Sequence, residues 1–327
     1  MHVPLAEISF PNFDPVLFDL PGPLDIRWYG LMYVVGFIVG AWILERLNRP
    51  DASGRSFLGL PPEGPQDLML WLLAGVVLGG RFGFLIFYKP EIFRDPASIF
   101  AFWEGGMAFH GGLLGVIIAT VIFSRRRGVP VLRVLDGLAL AVTPGIVAVR
   151  CANFINGELY GRVTDASVPW AMRFPTDPVA VNGLRLAGLP TRARELRIQE
   201  AFASGEWEKL AASVPLRHPS QIYQALCEGL LLGLVLLVLW RRTRAQPLGW
   251  GRYGGVFLLG YGLLRWVIEF FRQPDEQFAQ QPGELGTVLG FLSMGQVLCS
   301  LMIVGGIWLL LRRTGYGTPG SASAART

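Results

Sequence analysis

The chain has 327 residues, of which 52% are apolar and only 16% charged, with 41 glycines and a formal net charge of +5. A mean hydropathy of +0.42 and a charged share well below the usual quarter or so exclude an ordinary soluble globular protein. The positive charge gathers at the ends of apolar stretches and reads as a topology signal, not a nucleic-acid surface, and the three cysteines have neither metal-ligand spacing nor the even count of a disulfide framework.

Met1 to Leu20 has no basic start and is broken by Pro4, Pro11 and Pro15. It does not read as a signal peptide, so the first spanning helix is expected to direct insertion. Crossing the hydrocarbon core of about 30 Å takes about 20 mostly apolar residues. Seven stretches answer that description. The first, near Trp28–Glu45, opens with Tyr29, which is either an interfacial aromatic or a hydroxyl facing a ligand. The second, Leu68–Tyr88, carries Arg81 within Gly79-Gly-Arg-Phe-Gly83, a deep charge that requires a partner. The third, Met107–Phe123, begins at His110, flanked by Gly105-Gly106 and Gly111-Gly112. His110 reads either as a general base near neutral pKa or as a helix-end histidine bonded to a carbonyl. Its glycines admit a ligand or a second backbone.

The fourth, Val134–Phe154, is interrupted by Pro144 and Gly145 and runs into Arg150-Cys-Ala-Asn153-Phe-Ile-Asn156-Gly157-Glu158-Leu-Tyr-Gly161-Arg162. Arg150 and Asn153 share a helix face, and Asn156-Gly157 marks a turn that places Glu158 at the helix end. Arginine beside amides suits phosphate oxygens; a packing ion pair is the plainer reading. Tyr160 to Arg217 is long and polar, with helix expected near Leu196–Leu210. The fifth span, Ile222–Trp240, is entered through His218-Pro219-Ser220-Gln221-Ile-Tyr223, with Glu228 adding polarity; this is either a helix start or part of a site. The sixth, Tyr253–Phe271, places Tyr261, Arg265 and Glu269 at i, i+4 and i+8, one polar stripe that lipid cannot satisfy. It reads as a second phosphate-binding arm or an internal salt bridge. The seventh runs near Thr287–Leu311, followed by a Gly/Ser/Ala-rich tail expected to be disordered.

Arginines test the count. Arg46, Arg49 and Arg55 follow the first span; Arg125, Arg126, Arg127 and Arg133 join the third and fourth; Arg241, Arg242, Arg244 and Arg252 join the fifth and sixth; Arg312 and Arg313 follow the seventh. Only Lys89 and Arg94 lie between the second and third. Seven spans with the N-terminus outside put all four clusters on one side, as the positive-inside rule demands. The expected architecture is therefore all-α and polytopic, N-terminus periplasmic and C-terminus cytoplasmic, with a small external subdomain. Residues 1–27 form an external segment, 28–159 the first four spans, 160–218 the periplasmic subdomain, 219–313 the last three spans and 314–327 the tail.

The chain contains no nucleotide-binding loop, dinucleotide fingerprint, His/Cys metal cluster or serine nucleophile elbow. Chemistry here would use a substrate already activated and supplied by the membrane, and a phospholipid fits. A transporter or flippase of an anionic lipid is the alternative, although no inverted repeat is visible.

The motifs together resemble the prolipoprotein diacylglyceryl transferase family, from Trp28-Tyr-Gly-Leu-Met to the last helix. The most specific stretches are His110-Gly-Gly, Arg150 to Arg162, His218-Pro-Ser-Gln-Ile-Tyr and Tyr261 to Asp275. The resemblance implies a seven-helix protein of the bacterial inner membrane. It would transfer the sn-1,2-diacylglyceryl group of phosphatidylglycerol to the lipobox cysteine of a prolipoprotein signal peptide and release glycerol phosphate. No cofactor, metal or nucleic acid is implied. Catalytic roles fall on His110, Arg150, Arg265 and Glu158. Phosphatidylglycerol contacts fall on Tyr29, Arg150, Asn153, Gly161, Tyr261, Arg265 and Glu269. Phe84 stands where the family often has a tyrosine, with Tyr88 one turn further. The stretch around Asn182–Leu210 is less like the family, and no role is carried onto it.

Overall fold

The computed structural model describes residues 8–20, 25–52, 54–88, 106–246, 248–273, 287–289 and 292–312. Lys89, Arg94, the side chain of Tyr88, Asp275 and the tail 314–327 lie outside the described residues. The elements, in order, are β1 (Val16–Phe18), β2 (Ile26–Arg27), α1 (Trp28–Asn48), α2 (Gly64–Tyr88), α3 (Phe109–Arg127), α4 (Val131–Ala141), α5 (Thr143–Ile155), α6 (Pro178–Gly183), α7 (Thr191–Ala203), α8 (Glu206–Ala211), α9 (Ser220–Thr243), α10 (Arg252–Ile268), β3 (Thr287–Leu289), β4 (Leu292–Ser293) and α11 (Met294–Leu311).

The protein is mostly helical and polytopic. Among the described residues, α1, α2, α3, α9 and α11 are long and apolar enough to cross a membrane, and the broken pair α4–α5 makes six if it counts as one span. The break falls where Pro144 enters the first turn of α5, a position that lacks an N–H to donate. The outward faces of these helices are apolar: Ile38, Trp42, Leu70, Leu230, Leu301 and Val304 are all exposed. An apolar surface of that extent is matched by lipid and not by water.

α10 has 17 residues, about 26 Å at 1.5 Å per residue, the low end of what crosses a hydrocarbon core. Two expectations need correction. The last helix begins at Met294, because Thr287–Leu289 and Leu292–Ser293 pair as an antiparallel ribbon. Ser293 and Gln296 then form a reciprocal cap, Gln296 N–H donating to Ser293 Oγ at 3.2 Å and Ser293 N–H to Gln296 Oε1 at 3.0 Å. With a second ribbon, β1–β2, the chain is mostly but not purely α.

The chain divides into two compact units, one comprising Met1–Gly36, Val142–Arg241 and Gly255–Trp308, the other Phe37–Ala141, Arg242–Gly254 and Leu309–Thr327. In the second unit, α2 and α3 meet backbone to backbone through Gly75, Gly79 and Gly83 on one helix and Gly111 and Gly115 on the other. A Cβ at Gly115 would overlap the Gly75 carbonyl, so the small-xxx-small spacing is what permits this approach. Asp136, almost wholly buried on α4, accepts from the N–H groups of Gly251 at 2.6 Å and Gly254 at 2.7 Å and so caps the start of α10. Arg133, one of the topology arginines, donates to the carbonyls of Ser56 and Phe57 at 2.7 Å each and stacks on Trp250.

In the first unit, α6, α7 and α8 enclose a small core of Ala180, Leu184, Leu186, Ala201, Trp207 and Val214. The helix expected near Leu196–Leu210 is two helices, separated where Gly205 takes a left-handed φ of 73°. The charged run on α7 pins the N-terminal segment. Arg192 meets Asp14 at 3.0 Å and Asp19 at 2.8 Å, and Glu195 meets Arg27.

Gly115→Leu should lower the melting temperature in detergent by several degrees, since overpacking of this kind costs about 1–3 kcal/mol. Gly305, with nothing within 4 Å of its missing Cβ, is the control: Gly305→Leu should stay within about 0.5 kcal/mol. Equal melting temperatures for the two variants would refute the close-packing account.

Candidate active site

The polar residues of the first unit converge from four helices. On α5, Arg150 Nη1 donates to Asn153 Oδ1 at 3.3 Å, and Asn153 Nδ2 donates to Glu158 Oε1 at 2.8 Å. Asn153 is buried, so these bonds satisfy an amide that would otherwise be costly to hold there. Tyr29, at the start of α1, turns its hydroxyl to Tyr33 at 3.4 Å and also interacts with Asn153 and Glu158. The expected pairing of Glu158 with an arginine is therefore indirect, with Asn153 standing between.

The chain then turns through Asn156-Gly157, with Gly157 at φ 65°, as the dipeptide predicted. Leu159 follows at φ 57°, a conformation that costs a non-glycine residue about 1–3 kcal/mol and recurs at functional sites. Two side chains from the start of α9 hold it: Ser220 Oγ donates to the Leu159 carbonyl at 2.9 Å and Gln221 Nε2 to the Glu158 carbonyl at 2.6 Å. The motif before the fifth span thus serves the Arg150–Arg162 loop.

Gly161 lies where three strands of backbone cross. Its N–H donates to the His218 carbonyl at 2.7 Å, it bridges Arg272, and a Cβ there would collide with the carbonyls of Phe271 and His218. His218 itself is placed by a short relay. Trp170 Nε1–H donates to the Tyr223 hydroxyl at 2.6 Å, which leaves the Tyr223 proton for His218 Nδ1 at 3.0 Å. Burial pushes the His218 imidazole below its ordinary pKa.

The stripe on α10 is an ion cluster. Arg265 Nη2 stands 3.2 Å from Glu269 Oε2, and its Nη1 stands 4.0 Å from Glu228 Oε1. Arg272 approaches the same Glu269 at 3.9 Å, and Ser293 Oγ donates to it at 3.1 Å. Gly295 makes room for that carboxylate, for a Cβ would press on it. Arg150 and Tyr261 lie close enough to Glu228 to act on its charge, so the two arms meet around this one acid. Glu228 is wholly buried and sits in a π-helical turn, Ala225–Leu231, inside α9. Such turns re-aim a side chain and recur at functional sites.

Sequence reasoning placed Glu228 only as added polarity and did not single out Arg272 or the Ser293–Gln296 cap. The signals were present: Glu228 is the lone charge in a long apolar run, and Ser-x-x-Gln is capping-box spacing. Eight of the nine predicted site residues belong to this first unit. His110 does not. It is the second residue of α3 in the other unit, exposed, with its ring edge-on to Phe109 at 5.6 Å. Its glycine Gly111 serves the α2–α3 contact, so the backbone approach allowed by the sequence is that of a neighbouring helix. Arg81, also in that unit, is buried and donates to the Gly106 carbonyl at 3.4 Å.

The arrangement can bind an anion: guanidinium groups from two helices stand in an apolar bundle, each steadied by a carboxylate or amide. Among the described residues no cluster of His, Cys, Asp and Glu could hold a metal ion.

The family model described as prolipoprotein diacylglyceryl transferase matches residues 15–312. A phosphatidylglycerol–prolipoprotein diacylglyceryl transferase of Ralstonia pickettii is 42% identical over 320 residues, covering 96% of this chain and 99% of its own. Enzymes of the same name from Ruegeria pomeroyi and Mesorhizobium japonicum are 42% and 41% identical, each covering 94% of this chain and 97% and 93% of their own. With a match over nearly its whole length and relatives at this identity, the chain belongs to the prolipoprotein diacylglyceryl transferase family.

Proposed function

We propose that this chain is a phosphatidylglycerol–prolipoprotein diacylglyceryl transferase of the bacterial inner membrane. It moves the sn-1,2-diacylglyceryl group of phosphatidylglycerol onto the lipobox cysteine of a prolipoprotein, the first step of lipoprotein maturation. The observation that carries the reading is the meeting of Arg150 and Arg265 around the buried Glu228, charge placed where an anionic headgroup enters from lipid and water does not compete. The transporter alternative has no support among the named relatives.

In this reading the chain crosses the membrane seven times, N-terminus outside, with α4–α5 as one broken span and α10 as a short one. Residues 1–27 and 160–218 lie on the periplasmic side, 28–159 and 219–313 hold the spans, and 314–327 form a cytoplasmic tail. The arginine clusters that follow alternate helices support this orientation.

The chemistry is displacement at a glycerol carbon. The cysteine thiol, with an ordinary pKa of about 8.5, first gives up its proton, and His110 is the base we assign. The thiolate Sγ forms a bond to the glycerol carbon as the carbon–oxygen bond to phosphate breaks. Glycerol phosphate leaves with that electron pair. Arg150 and Arg265 hold the phosphate and offset the charge that grows on it. Asn153, Tyr29 and Tyr261 donate to headgroup oxygens, and Gly161 gives the headgroup space beside the backbone. Glu158 steadies Arg150 through Asn153, and Glu269 steadies Arg265. No cofactor enters, because the phosphate ester is already a leaving group.

Purified chain in detergent, incubated with phosphatidylglycerol and a lipobox peptide, should add one diacylglyceryl group to the peptide by mass. The gain should vanish with a Cys→Ser peptide and in Arg150→Ala. Lipid bound but never converted would reverse the assignment in favour of transport. Arg265→Lys keeps the charge but loses the planar fork, and kcat should fall on the order of 10²-fold; full activity would show that bidentate contact is not used. His110→Gln tests the base: a loss that recovers as pH rises past the thiol's own pKa supports it, a loss that persists at every pH assigns His110 a structural role instead, and retained activity assigns deprotonation to the arginine-rich surroundings.

A further inference from the structure

Segment 160–218 carries a buried ion pair that the chemistry above does not use. Arg217 is 8% exposed and Asp177 fully buried. Arg217 Nε donates to Asp177 Oδ2 at 2.5 Å, and its Nη1 reaches the Gly161 carbonyl at 3.4 Å and Gln273 Oε1 at 3.2 Å. The guanidinium also lies over the Tyr160 ring at 4.9 Å. Its backbone is locked to Met172 in both directions, N–H to carbonyl at 2.9 and 3.0 Å. Asp177 is held in turn as the cap of α6, its Oδ1 accepting from the Val179 N–H at 2.9 Å.

Burying two such ions is expensive, and a buried pair is weak evidence for stability by itself. What distinguishes this one is where its fork points. Gly161 pairs with Arg272 as an antiparallel bridge, and Arg162 N–H donates to the Phe271 carbonyl at 2.8 Å. Gln273 is the next residue after Arg272. One guanidinium therefore grips both the strand opposite Arg272 and the residue following it. Arg272 in turn stands 3.9 Å from Glu269, the carboxylate 3.2 Å from Arg265.

We propose that Asp177 and Arg217 are positioning residues: a buried pair in segment 160–218 that fixes the Gly161 strand and Gln273 about Arg272, and through Arg272 fixes the Glu269–Arg265 pair. This inference rests on the transferase reading. It gives Asp177 and Arg217 a task in catalysis without any contact of their own with the lipid.

Asp177→Asn is the sharpest probe, since the amide Oδ1 still accepts from Val179 while the charge opposite Arg217 is gone. Transfer to the lipobox peptide would be measured for the unchanged chain, Asp177→Asn, Arg272→Gln and the double variant, with melting temperatures beside kcat and the KM for phosphatidylglycerol. Misplacing a charge by an ångström or less is expected to lower kcat about tenfold or more in Asp177→Asn, with KM changing less. The double variant should be no slower than the slower single variant, because both act through one chain of contacts. Arg217→Lys should match Asp177→Asn, having lost the fork, and stands in for it if Asp177→Asn does not fold. A kcat per folded molecule within twofold of the unchanged chain would overturn the proposal, as would losses that multiply in the double variant. If the unchanged chain makes no product, the transferase reading falls and takes this inference with it. Product from the unchanged chain with insensitive variants overturns the inference alone.

Discussion

A guanidinium inside an apolar bundle has no water to solvate it, and this protein answers by surrounding Arg265 with carboxylates. Glu269 reaches it from one turn along its own helix and Glu228 from α9. Much of the local architecture follows from that need. The π-helical turn brings Glu228 into the cluster; Ser293 donates to Glu269 while capping α11; Gly295 leaves space for the same carboxylate. Desolvating several ions costs several kcal/mol each, which packing alone would not justify.

The loop from Arg150 to Arg162 answers a related constraint. Irregular backbone is tolerated near lipid only where other protein groups satisfy it. Here the start of α9 supplies them, Ser220 and Gln221 taking the carbonyls of Leu159 and Glu158. Gly161 then threads between His218 and Phe271, where no side chain fits. The loop is thus held by backbone bonds on both sides, which leaves the side chains of Arg150, Asn153 and Glu158 to form their own chain.

The second unit is held together differently. Its helices α2 and α3 touch through glycine, and the start of α10 is capped by a carboxylate from α4. In lipid there is little hydrophobic drive between helices, so close van der Waals contact and long-range caps do the organising. Arg133, read from the sequence as a topology charge, is the donor that fixes the 56–57 turn.

Membrane character, most helix positions, the helix break at Pro144 and the two polar stretches were legible in the linear chain, because each rests on composition, spacing or a local breaker such as Pro144 and Asn156-Gly157. The i, i+4 relation of Arg265 and Glu269 likewise needs only helix geometry. What the chain could not declare was partner choice across long separations. Glu228 is one polar residue among many until a π turn brings it to Arg265; Asp136 is an isolated acid until it meets the N–H groups of Gly251 and Gly254; Arg217 is one of several basic residues until Asp177 buries it. The start of the last helix at Met294 was decided by a ribbon pairing and a cap, not by hydropathy. Local propensity sets where helices run, whereas the pairing of buried charges depends on which helices pack together, and only the tertiary structure decides that.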